Sequence, residues 1–201
     1  MTFPKSPSFR FLPLSLVLAL TSCASFLPDH ASVLHVSVPD QRMVLSRDGV
    51  VVATYEISTS KFGLGDEPGS NRTPLGEHVI AQKIGGGQPA GMKFKSRRPT
   101  GEIVPPNAPG RDPIVSRILW LKGVEPCNAN AYHRYIYIHG TPQENLIGQP
   151  RSYGCIRMRS RDVMDLYERV GRGARVIIVD EPLACLPLAP GAEAASHGRS
   201  L

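Results

Sequence analysis

Tyr135-Ile136-Tyr137-Ile138-His139-Gly140 and, a short way downstream, Ser152-Tyr153-Gly154-Cys155-Ile156-Arg157 are the stretches from which the rest of the chain is read. Alternating aromatic and β-branched residues favour a pleated strand, and this one delivers His139 at its end. Cys155 follows on the far side of a loop, preceded by Gly154 much as His139 is followed by Gly140. A thiol, an imidazole and glycines that let backbone approach an acyl group closely are the parts that nucleophilic cysteine chemistry needs. Taken singly, a cysteine is most often a small buried hydrophobe and a histidine a structural residue. Their placement together, one ending a strand and the other in the loop after it, is what points to chemistry.

Outward from this pair the pattern is mainly β. Val33 to Val38, Arg42 to Leu45 and Val50 to Ile57 are apolar runs separated by Pro39-Asp40 and Asp48-Gly49. Asp-Gly between such runs predicts a tight hairpin, because both central positions of a type I′ turn take positive φ, so an antiparallel meander is expected. Glu77 to Lys83 and Ile118 to Leu121 predict further strands. The Gly- and Pro-rich interval 85–117 predicts an irregular excursion, either a solvated surface loop or a lid over substrate. After the cysteine loop, Ser160 suits an N-cap, Asp162 the positive end of the helix dipole and Gly171 the position after the last turn. Val163, Leu166, Tyr167 and Val170 recur at helical spacing, so one face packs on the sheet. Arg175 to Asp180 predicts a closing strand buried on both sides, and the tail 183–201 has too little to bury and is predicted to be disordered. His35 and His78 read as partly buried structural residues and Trp120 as core. The fold class is mainly β, an antiparallel sandwich or open barrel with one packed helix at about 160–171 and long loops, in a single domain over 33–182.

The chain has 201 residues, 41% of them hydrophobic and 20% charged, enough for one full core. Its 23 Lys and Arg against 17 Asp and Glu are scattered singly or in pairs, which argues against a nucleic-acid partner. Lys5 and Arg10 precede the apolar run Phe11 to Leu20, too short to span a bilayer and shaped like a secretory leader. The run ends in Leu20-Thr21-Ser22-Cys23, which resembles a bacterial lipoprotein processing box. On that reading 1–22 is a signal peptide, Cys23 is lipidated, 23–32 is a tether, and a lipid anchor holds the chain to a membrane on its periplasmic or cell-surface side. The bland alternative is an ordinary signal peptide with a coincidental cysteine. Ala24 stands where the enterobacterial sorting rule places aspartate for inner-membrane retention, which favours an outer membrane where one exists. Cys127 and Cys185 are left as a pair in a disulfide-permissive compartment, and spacing alone does not decide whether they bridge.

With these elements placed, the sequence resembles the L,D-transpeptidase catalytic domains of bacterial cell walls, the YkuD family. Three stretches carry the resemblance in order: Gly69 to Gly76 (Gly-Ser-Asn-Arg-Thr-Pro-Leu-Gly), Tyr135 to Thr141 (Tyr-Ile-Tyr-Ile-His-Gly-Thr) and Ser152 to Met158 (Ser-Tyr-Gly-Cys-Ile-Arg-Met). The resemblance covers roughly 33–182 and implies a YkuD-like fold. It implies Cys155 as nucleophile and His139 as base, either holding the thiolate or taking its proton during attack, with the backbone carbonyl of Gly140 orienting the ring. It also implies oxyanion donors at the amides of Gly154 and Cys155. Ser152 would fix the turn, and Arg157 would contact a substrate carboxylate or brace the loop. Tyr153 is the departure. The family has a histidine there, lining the pocket beside the nucleophile, so rate or substrate choice is where this chain is expected to differ.

The implied substrate is a peptidoglycan tetrapeptide stem, whose third residue would form a thioester on Cys155 with release of the terminal D-Ala. A stem amine as acceptor gives a cross-link, a lysine of an acceptor lipoprotein gives anchoring, and water gives L,D-carboxypeptidase activity. No cofactor is implied, and a monomer suffices. Cys127, His133, His139 and Cys155 lack the close paired spacing of zinc sites, so no metal is expected. The rival from another class is a non-catalytic peptidoglycan-binding lipoprotein, and Tyr153 is the residue that favours it.

Overall fold

The computed structural model describes residues 27–188, so the leader and Cys23 lie outside the described residues. β1 (Ser32–Ser37), β2 (Arg42–Arg47) and β3 (Val50–Glu56) form the expected meander. Asp48 and Gly49, with φ of 50° and 80°, supply the positive-φ turn between β2 and β3. Then come β4 (Gly76–Ile84), β5 (Met92–Lys95), β6 (Arg98–Ile103), β7 (Val115–Gly123), β8 (Tyr137–Gly140), β9 (Ile156–Met158), the helix α1 (Ser160–Arg169) and β10 (Arg175–Val179). The sheet runs β3-β2-β1-β10-β4-β7-β5-β6, with β8 also on β7 and β9 on β8. The fold is mainly β with one helix. Its sheet is mixed, because β1 pairs with β10 and β8 with β9 in parallel.

One face of this sheet makes the main core. Leu34, Val36, Leu45, Ile80, Leu121 and Ile138 are buried against Val163 and Leu166 of α1. The helix packs mainly on β7 and β8, which holds the strand carrying His139 between a helix and its neighbours. A second cluster of Met92, Phe94, Ile118, Trp120 and Tyr137 receives Cys155 at its edge. Trp120 is buried there, as expected, while His78 is completely buried and His35 only partly.

Several expectations are corrected. The interval 85–117 contains a β-hairpin, β5 with β6, whose first strand joins the sheet through Lys93 opposite Val115. The strand carrying His139 begins at Tyr137, because Tyr135 takes φ of 60° in a turn closed by its own amide on the Tyr132 carbonyl. Arg159, not Ser160, is the N-cap of α1. The Ser160 amide instead donates to the Glu144 carboxylate at 2.8 Å, so a side chain from another loop satisfies that end. β10 buries Val176 and Ile178 but exposes Arg175, so only one of its faces is fully covered. At the two ends of the domain, Asp29 is bonded to the turn at 171–173, shortening the tether. Leu183–Cys185 forms a 3-10 turn whose first amide donates to Asp40, so the ordered chain passes residue 182. Cys127 and Cys185 are both free and exposed, so the bridge does not form. Cys127 sits beside the start of β4 and Cys185 packs near β1, with β10 between those strands.

Candidate active site

Parallel pairing of β8 and β9 assembles the site. Ile138 lies opposite Ile156 and His139 opposite Arg157, which brings Cys155 alongside Tyr137. Side chains two apart on a strand share a face, and paired residues of parallel strands face the same way. Tyr137, His139 and Arg157 therefore stand on one side of the sheet, and Cys155, one residue before β9, packs at the edge of the Tyr137 cluster, diagonal to His139.

The His139 ring is 5% exposed, and its Nδ1 lies 2.8 Å from the Gly140 carbonyl oxygen. A carbonyl only accepts, so Nδ1 carries the hydrogen and Nε2 of the neutral ring is left with its lone pair. Burial pushes the imidazole below its ordinary value, against the opposing pull of the Gly140 carbonyl and Asp112. Gly140 is also required sterically, since a Cβ there would stand 2.6 Å from the Val115 carbonyl oxygen.

Cys155 is partly exposed and opens into a cavity of about 260 Å³ lined by Asn71, His133, Arg134, Ile136 and Tyr153. Its Sγ donates to the Tyr135 carbonyl and accepts from the Tyr137 amide, each at 3.4 Å. Burial of the sulfur pushes the thiol up to about 11, while the Tyr137 amide, Arg134 and Arg157 pull it down. Among the described residues no hydrogen bond joins Sγ to His139. The resting site is thus a neutral thiol beside a neutral imidazole, and such contacts commonly tighten when substrate binds.

The loop before the nucleophile is held by its own serine. Ser152 Oγ donates to the Cys155 carbonyl at 2.6 Å and accepts the Gly154 amide at 3.2 Å. Ser152 therefore fixes the turn as expected. The Gly154 amide, expected as an oxyanion donor, is engaged by the Ser152 hydroxyl, while the Cys155 amide has no partner among the described residues. Gly154 earns its place through backbone instead: at φ of 114°, a Cβ would approach the Arg72 carbonyl oxygen to 3.1 Å. The Thr73-Pro74-Leu75-Gly76 segment is tied in at this point. Thr73 Oγ1 donates to the Gly154 carbonyl at 3.0 Å and accepts the Ser60 amide at 3.0 Å.

Arg157 is 2% exposed, with its two terminal nitrogens held within the protein and its Nε without a hydrogen-bond partner among the described residues. It donates to Asp112 (2.6 Å), Gln143 (3.0 Å) and Ser58 (2.9 Å), so it braces the loops around the site. Asp112 also accepts from the Thr141 hydroxyl, clamping the 110–114 segment beside His139. Tyr153 is 63% exposed, its hydroxyl accepts from Lys61 Nζ at 3.1 Å, and its ring leans on Phe62. It walls the Cys155 cavity on one side and, on the other, a cavity of about 470 Å³ lined by Lys61, Arg111, Asp112, Arg151 and Arg157.

Sequence reasoning missed Asp112, Gln143, Ser58 and Arg134. Arg134, buried beside Asp66 at 2.9 Å and bonded to the Arg72 and Gly65 carbonyls, orders the loop facing the thiol. Its position directly before Tyr135 was the one available signal.

These features agree with comparison to known proteins. Residues 31–178 match the model of the L,D-transpeptidase catalytic domain, YkuD, and the chain belongs to that family. A protein of Escherichia coli (strain K12) named as a probable L,D-transpeptidase, YbiS, is 44% identical over 50 residues, covering 25% of this chain and 16% of its own. YqjB of Bacillus subtilis (strain 168) is 43% identical over 44 residues, 22% of this chain and 25% of its own. The match thus spans about a quarter or less of either relative. Among solved structures, L,D-transpeptidase 3 from Mycobacterium tuberculosis, in complex with a faropenem-derived adduct, is similar with a TM-score of 0.48 and 19% identity, over 74% of this chain and 60% of that one.

Proposed function

We propose that this chain is a cysteine-dependent L,D-transpeptidase acting on peptidoglycan tetrapeptide stems. The observation that carries the reading is the placement of Cys155, one residue before β9, diagonal to His139 of β8, the thiol opening into a cavity and the ring fixed by Gly140 with Nε2 as acceptor. Since both groups rest neutral, His139 acts by taking the thiol proton as Sγ attacks, not by storing a thiolate.

In the first half-reaction Sγ attacks the carbonyl of the third stem residue and His139 Nε2 accepts the thiol proton. The tetrahedral oxyanion meets the Cys155 amide. As the carbon–nitrogen bond breaks, the imidazolium returns that proton to the departing D-Ala amine, leaving a thioester. In the second half an acceptor amine attacks the thioester, His139 takes its proton, and Sγ leaves and is reprotonated. Bond energy is kept in the thioester, so no nucleotide is consumed. The acceptor is a stem amine, the lysine of a wall-attached lipoprotein, or water. Tyr153, between the two cavities and held by Lys61, forms the wall that the incoming chains pass.

The leader and Cys23 support a lipoprotein held on the periplasmic or cell-surface side of a membrane, the outer one where present. Intact mass after mixing with a carbapenem tests the nucleophile: the wild-type chain gains one adduct and Cys155→Ala gains none. Absence of an adduct on wild type, under conditions where another family member is acylated, would leave the wall-binding reading in its place.

A further inference from the structure

The described chain begins fastened to the turn between α1 and β10. Asp29 donates its amide to the Arg172 carbonyl at 2.7 Å, and its carboxylate accepts the amides of Gly171 (2.7 Å) and Ser32 (3.0 Å). Burial alone would raise this carboxyl, but the backbone hydrogen bonds outweigh it and hold it below the usual range. Packing is equally close: a Cβ on Gly171 would stand 2.7 Å from Asp29 Cβ, and one on Gly173 would stand 3.0 Å from Pro28 Cβ. Only Ala24, Ser25, Phe26 and Leu27 separate Cys23 from the fastened Pro28 in the sequence. Five extended residue steps from Cys23 to Pro28 reach about 17 Å at most.

Beside this mooring is a groove of about 840 Å³ whose lining includes Leu27, Lys83, Lys122, Tyr167 and Arg172, with no Asp or Glu. Leu27 is 81% exposed at its rim. Lys122 is exposed and its ammonium has no hydrogen bond or ion pair among the described residues, and the Arg172 side chain spends only its Nε, on the Ala81 carbonyl. Lys83 bonds the carbonyls of Tyr167 and Val170 at 2.7 and 2.6 Å and adds its charge from there.

Resting on the anchored-lipoprotein reading, we propose that this cationic groove lies against the anionic phospholipid headgroups of the membrane that holds Cys23, with Leu27 entering the headgroup boundary. The short connection keeps the groove within reach of the lipid surface, and basic side chains there are attracted to anionic headgroups. A domain so held presents one fixed face to the membrane and meets only those wall strands that come close to it.

Two measurements separate this inference from the reading beneath it. Intact mass of the full chain extracted from producing cells reports whether Cys23 carries lipid; an unmodified Cys23 overturns the anchor and the apposition together. Vesicle flotation then uses the chain from residue 23 onward carrying Cys23→Ser, with phosphatidylcholine vesicles with and without phosphatidylglycerol. Binding is expected to anionic vesicles only, weakening with salt and falling more than tenfold in Lys122→Glu/Arg172→Glu, while the carbapenem adduct at Cys155 forms at the wild-type rate. Lys122→Ala/Arg172→Ala should fall in the same direction by less. Equal binding to both vesicles, no binding to either, or reversal variants that bind like wild type would overturn the groove contact even where Cys23 is lipidated. Binding that moves to soluble wall polymer in competition would assign the groove to that anion instead.

Discussion

The Nδ1 hydrogen bond to Gly140 leaves the His139 Nε2 lone pair free to accept a proton, and burial pushes the imidazole below its ordinary value of 6.5. Acylation of Cys155 should accordingly lose rate as pH falls through a value under 6.5, and should not wait for ionisation of the thiol near 11. His139→Gln is expected to slow acylation by about 10²–10⁴-fold and to abolish that acidic limb. Stopped-flow acylation across pH checks both points, and a rate that rises only with thiol ionisation, unchanged in His139→Gln, would contradict them. Tyr153→His should preserve or raise turnover, with the larger change in KM, since Tyr153 walls two cavities. Asp112→Ala leaves the buried Arg157 without its carboxylate and is expected to cost about 3 kcal/mol in urea unfolding. Of these residues, His139, Cys155 and Ser152 were legible because each sits in a local pattern. Asp112 was not: it stands 45 positions from Arg157 in a stretch without periodicity, and only the folded chain brings the charges together.

At the scale of elements, the site depends on β9, a strand of three residues, lying parallel to β8. Thr73 holds the loop leading into it, so Thr73→Val should strand the buried Ser60 amide and Gly154 carbonyl at about 1–3 kcal/mol for each group left unpaired. It should also lower kcat for stem turnover more than it raises KM, a split that steady-state kinetics reads. The meander was readable from Asp48-Gly49 and the helix from Val163, Leu166 and Val170, all local signals. The β5–β6 hairpin was hidden because β6 is exposed along its whole length and interrupted by Pro99 and Gly101. Its turn also places the non-glycine residues Ser96 and Arg97 at positive φ, which no Asn-Gly or Asp-Gly pair announces. The parallel junctions escaped too, since apolar alternation shows which face is buried and not which strand lies alongside.

For the whole molecule, burial depresses His35, His78 and His139 together. An imidazole held neutral in the fold contributes stability that is full above 6.5 and is lost as pH falls from there through the lower folded values, where the unfolded chain binds the extra protons. Cys155, raised from 9.0 to about 11, acts on the other side, with stability lost as pH rises across that interval. The thermal midpoint should therefore be highest between about pH 7 and 9 and fall towards acid; a midpoint that rises below pH 6 would contradict this. The central claim concerns what that fold presents, a cysteine that breaks one bond in a stem peptide and makes another. Its most direct measurement is mass analysis of protein and products after incubation with purified tetrapeptide stems. A thioester on Cys155 equal to the stem without its D-Ala, one D-Ala released per acyl group, and a cross-linked or trimmed product absent from Cys155→Ala are predicted. Intact stems and an unmodified Cys155, in protein that still folds, would contradict the account.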